Sequence, residues 1–89
     1  MTSRPVLVVH HDPDTLERLT LELGSRGYHV IGPARTAGVA LTLAAQSPVA
    51  LALVGERLAG RRDGPELART LRNTWGVRSF ILRDEQRRA

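Results

Sequence analysis

The chain has 89 residues, enough for one small domain, and a chain of that length buries only ~60–65% of the surface its unfolded form exposes. It has no cysteine, which excludes a disulfide framework and a zinc–thiolate site, and no apolar run near the ~20 residues of a membrane span. The net charge is +4, carried by arginine alone against 9 acidic residues. Without a signal-peptide pattern, a cytoplasmic protein with no membrane partner is expected.

Arg4 to His10 reads as a buried strand, a short valine-rich run of the kind parallel sheets require. Asp12 suits the N-cap of a first helix, with Pro13 at its first position and Asp14 complementing the helix dipole. Leu16, Leu19 and Leu23 follow at helical spacing, and Gly27 is placed to end the helix in a left-handed conformation. Tyr28 to Ile31 predicts a second strand, closed by Gly32-Pro33.

Thr36 can cap a second helix with Val39, Ala40, Leu43 and Ala44 as its apolar residues, although Gly38 weakens it by up to about 1 kcal/mol. Val49 to Val54 is the clearest buried strand, and Gly55 to Gly64 is a polar loop. Pro65 opens a third helix with Leu67 and Leu71 inward and Arg69, Arg72 and Asn73 outward. Trp75 follows it, either as a packing lid or as an exposed contact. Val77 to Leu82 predicts a fourth strand with Phe80 in core or interface, and residues 83–89 form a charged tail. Successive strand–helix units of this length imply right-handed crossovers and an α/β fold with a parallel sheet.

The charge is unevenly spread. Up to Val54, Arg4, Arg18, Arg26 and Arg35 balance Asp12, Asp14, Glu17 and Glu22, so the whole excess lies beyond. A basic half fits an acidic partner or nucleic acid. With aromatics at 3% of the chain there is little on which bases could stack, so nucleic acid is not the expected partner.

Several segments, in order, resemble the receiver domain of two-component response regulators. Val8-Val9-His10-His11-Asp12-Pro13-Asp14 is similar to the first strand and helix start of that family. Gly27-Tyr28-His29-Val30 looks like its entry to the second strand, and Ala40-Leu41 matches its second helix. Pro48 to Gly60, followed by Asp63-Gly64 and Glu66-Leu67-Ala68, is similar to its third strand, phosphorylation loop and third helix. The resemblance implies a flavodoxin/CheY-like doubly wound parallel sheet, (βα)3β, with strand order 2-1-3-4. It also implies a truncated form across 1–89, lacking the last helix–strand–helix portion of the family.

At the positions that carry the family's chemistry, the chain departs from its pattern. His10 and His11 stand where two acidic residues hold magnesium, and imidazole suits softer metals than magnesium. The phosphoacceptor aspartate falls on Gly55, or on Glu56 if the alignment slips by one residue. Arg83 takes the place of the family's threonine or serine. The expected reading is a degenerate phosphorylation pocket with no catalytic residue, no metal and no cofactor. Adjacent strand residues point to opposite faces, so one histidine is expected at the sheet's carboxyl edge and the other beneath a helix.

Arg57, Arg61, Arg62 and Arg83 follow the carboxyl ends of the third and fourth strands, where open α/β sheets bind ligands, and could form an anion-binding rim. A fourth strand at the edge of the sheet would offer Phe80, Ile81 and Leu82 for association, through a homodimer or a signalling partner. The resemblance thus implies a non-enzymatic, phosphorylation-independent protein-binding role in phosphorelay signalling. Alternatives are residual phosphoreceiver activity through an aspartate such as Asp12, and basic nucleic-acid binding.

Overall fold

The computed structural model describes residues 4–60 and 63–83. Seven elements alternate along the chain: β1 (Pro5–Val9), α1 (Pro13–Ser25), β2 (His29–Ala34), α2 (Ala37–Gln46), β3 (Leu51–Gly55), α3 (Gly64–Trp75) and β4 (Arg78–Leu82). The four strands pair in parallel in the order β2-β1-β3-β4, so the α/β architecture read from the sequence is the one observed.

β1 is central, and its pleat divides the core. Leu7 and Val9 face α2 and α3, where they pack with Ile31, Ala52, Val54, Leu67 and Leu71. Val6 and Val8 face α1, where Leu16 is the one other buried hydrophobic residue among those described and Leu19, Leu23, Leu51 and Leu53 are partly buried. The imbalance follows from dimensions: a helix is ~10 Å wide and strands lie ~4.8 Å apart, so each helix covers about two strands. α2 and α3 together span the sheet, whereas α1 lies over β1 and β2 only. A groove of about 460 Å³ is left beside α1, lined by Leu19, Leu23, Leu51, Leu53 and Phe80.

Local sequence fixes the helix ends. Thr36 Oγ1 accepts the Val39 N–H at 3.2 Å, and Asp63 Oδ1 accepts the Glu66 N–H at 2.9 Å. α3 stops at Gly76, whose left-handed φ of 70° lets its N–H return to Arg72 O. This tight stop sets the start of β4 beside the last turn of α3.

Two details differ from the sequence reading. β2 does not close at Gly32-Pro33 but continues to Ala34, with Leu7 opposite Ile31 and Val9 opposite Ala34. The extra residue makes a bulge, which an edge strand accommodates together with a proline that has no N–H to donate. Val39 is 49% exposed, because Ala37, Ala40 and Ala44 form the inward face and Val39 lies about 200° around the helix from Ala37. β4 lies at the sheet edge as expected, and of the two places read for Phe80 the core is ruled out: it is 51% exposed, since α1 does not reach it and β3 is its one strand neighbour among the described residues.

Candidate functional site

The carboxyl ends of β1, β3 and β4 lie side by side, so the residues that follow them converge. His10 and His11 come directly after the last residue of β1 and have left the pleat. Their rings therefore do not take opposite faces; they stack, with centroids 4.7 Å apart and planes inclined by 21°. His10 is buried, at 7% exposure, and its Nδ1 accepts the Asp12 N–H at 3.1 Å. A backbone N–H can only donate, so this bond requires His10 Nδ1 to be unprotonated. His11 has the opposite arrangement: its Nδ1 lies 3.2 Å from the Arg57 carbonyl, which can only accept. The Arg35 guanidinium in turn donates to the His11 carbonyl, from Nε at 3.2 Å and Nη2 at 3.0 Å.

Gly55 closes the inner wall. A Cβ placed on it would stand 2.7 Å from His10 Cδ2 and 3.2 Å from His10 Cγ, closer than side chains approach. On the other side Gly64 lies against the Gly55 backbone and donates its N–H to Glu56 O at 3.0 Å, and a Cβ on Gly64 would collide with the Gly55 carbonyl. The His10 ring and the first turn of α3 together fill the space at the end of β3.

Outside these rings is an open cavity of about 410 Å³, lined by His10, His11, Asp12, Thr15, Arg18 and Arg83 among others. Among the described residues Asp12 is its one carboxylate. The Thr15 hydroxyl donates to Asp12 Oδ2 at 2.7 Å and holds the carboxyl below its ordinary value. Arg18 Nη2 reaches the same hydroxyl at 3.4 Å. Among the described residues no group of three or more histidine, cysteine, aspartate or glutamate side chains is placed to hold a metal ion.

No protein-family model and no curated protein matches the sequence. Solved structures do. The signal receiver domain of a modulated diguanylate cyclase from Desulfovibrio desulfuricans G20 superposes with a TM-score of 0.88 at 27% identity, covering 94% of this chain and 67% of that one. The receiver domain of an HD domain-containing protein from Pseudomonas fluorescens Pf-5 gives 0.86 at 26% identity, covering 96% and 67%. A CheY-like receiver domain protein from Methanospirillum hungatei JF-1 gives 0.85 at 24% identity, covering 97% and 68%. The chain has the receiver fold. It spans about two thirds of the length of these neighbours.

Within this receiver fold His10, His11 and Arg83 line one cavity, and Gly55 meets it through the His10 ring. Arg57 comes to it through its backbone carbonyl, while Arg61 and Arg62 lie outside the described residues. Sequence reasoning missed Arg18, Arg35 and Thr15. Arg35 was within reach of it: strand order 2-1-3-4 sets the end of β2 beside the end of β1, so the residue after Ala34 had to approach the histidines. Arg18 and Thr15 follow Asp12 at three-residue steps on α1, a spacing that turns them toward the same side.

Proposed function

We propose that this receiver-fold chain acts in two-component signalling by binding protein and neither accepts nor transfers a phosphoryl group. The contact between His10 and Gly55 carries the reading. Resemblance to receivers puts the phosphoacceptor at Gly55 and the magnesium-holding acids at His10 and His11. A side chain at position 55 would run into the His10 ring, so the two replacements fit each other and exclude the reactive pair together. The residues present do not suit magnesium either. Hard cations want carboxylate oxygens, His10 Nδ1 is engaged by the Asp12 N–H, and Asp12 alone among the described lining residues offers a carboxylate.

On this reading the chain is one non-enzymatic, cytoplasmic module across 1–89, associating through the β4 edge at Phe80, Ile81 and Leu82 with a second copy or a signalling partner. The basic character left at the cavity by Arg18 and Arg83, with Arg57 nearby, suits an anion better than a cation. The test is incubation with acetyl phosphate and magnesium followed by intact-mass measurement. An unchanged mass is expected; a stoichiometric gain of one phosphoryl group overturns the proposal, and its loss in Asp12→Asn would name the acceptor.

A further inference from the structure

Resting on that reading, the open edge of β4 carries a more specific message about the partner. The Leu82 carbonyl accepts the Glu56 N–H on the β3 side. Strand alternation then turns the N–H and C=O groups of Ser79 and Ile81 to the other side, where nothing among the described residues pairs with them. Beside this edge is a cavity of about 450 Å³ between the last turns of α3 and the start of β4. It is lined by Ala68, Arg69, Arg72, Gly76, Arg78 and Ser79.

Three observations distinguish this place from ordinary solvated surface. Arg69 and Arg72 on α3 border this cavity, and no ion pair or side-chain hydrogen bond holds their guanidinium groups among the described residues. Ser79 Oγ, at the same cavity, is buried without a hydrogen-bond partner among the described residues. On the other face of the sheet, Phe80 is half exposed over the apolar groove. An unpaired backbone edge, a cationic cluster and an apolar strip thus run together.

We propose that this edge receives an extended, acidic segment of a partner protein, which adds to the sheet as a fifth strand. Backbone pairing at Ser79 and Ile81 holds the segment, its carboxylates meet Arg69 and Arg72 on the α3 face, and its apolar residues cover Phe80 on the other. A second copy of this chain fits less well. Its own β4, Arg78–Leu82, carries no carboxylate to meet the arginines of the first copy, and a net charge of +4 on each copy opposes association.

The probe is a fluorescein-labelled nine-residue peptide alternating glutamate and valine, followed by anisotropy with the full 89-residue chain. Two comparison peptides accompany it, one with lysine in place of glutamate and one with alternate backbone nitrogens methylated. The acidic peptide is expected to bind, the lysine and methylated ones to fail, and added salt to weaken the complex. R69E/R72E changes two exposed side chains, so it should keep its circular dichroism spectrum while weakening binding about tenfold or more. Equal binding of the methylated peptide would mean simple charge attraction and overturn strand addition. Equal binding of the lysine peptide, or a β4-paired homodimer in sedimentation that excludes the acidic peptide, would overturn it too. Phosphoryl labelling is read separately by mass, so failure of the inert-pocket reading and failure of strand docking are told apart.

Discussion

On the α2/α3 face of the sheet Leu7, Val9, Ala52, Val54, Leu67 and Leu71 are all buried, and the glycines at 55 and 64 let α3 close over the end of β3. On the α1 face Val6 and Val8 are buried, but Leu51 and Leu53 are only partly covered and Phe80 stands half in solvent. The same strands supply both faces, and their alternation is equally apolar on each side. What differs is the number of helices laid across them. Burial is thus set by the topology above a residue as much as by its own hydrophobicity, and the open face leaves apolar side chains in solvent that the sealed one covers.

The comparison breaks most directly by truncating one leucine on each face. Leu67→Ala removes a fully buried side chain and should cost about 2–5 kcal/mol. For a chain of this size, whose total stability is about 4–13 kcal/mol at ~0.05–0.15 kcal/mol per residue, that can unfold it at room temperature. Leu53→Ala, already half in the groove, should cost about 1 kcal/mol or less. Urea midpoints measure both. Equal losses would mean that the α1 face is as tightly packed as the other.

A second experiment sharpens where the sealed face ends. Gly55→Asp places a side chain into the His10 ring and should destabilise by about 1–3 kcal/mol. Combining it with His10→Asp removes the ring, so the double variant should lose less than the sum of the two single ones. A coupling energy of at least about 0.5 kcal/mol is expected for residues in contact. Additive losses would show that the two positions do not constrain each other.

Much of this was legible in the sequence, and the exceptions have a common cause. The buried pattern of β1 and β3 and the caps at Thr36 and Asp63 depend on residues within a turn or two, so spacing alone reveals them. The bulge at Gly32-Pro33 depends on β2 being an edge strand, and the exposure of Phe80 on how far α1 reaches. Those are properties of the assembled sheet. At the site, the convergence of His10, His11 and Arg83 followed from strand order. The stacking of the two rings did not, because it turns on β1 ending at Val9 rather than running on to His10.

The smallest effect expected compares the first turns of α1 and α3, the helices on opposite faces. Asp63 accepts the Glu66 N–H, so Asp63→Ala should cost about 1 kcal/mol, the ordinary value of an N-cap. Asp12 occupies the same place on α1 but makes no capping hydrogen bond; its carboxylate is turned to the Thr15 hydroxyl. Asp12→Ala should therefore cost less. The hydroxyl leaves a signature in pH instead. It is the main reason the Asp12 carboxyl titrates below 3.8, with smaller help from the nearby Asp14 and Thr15 N–H groups. A carboxyl held low in the folded state stabilises it above the unfolded value, and that contribution is lost as pH falls through the folded one. Thr15→Val removes the donor and should move the Asp12 midpoint upward, followed by carboxyl-carbon NMR from about pH 2 to 6. An unmoved midpoint would assign the shift to the helix end, and α1 would then be capped electrostatically much as α3 is.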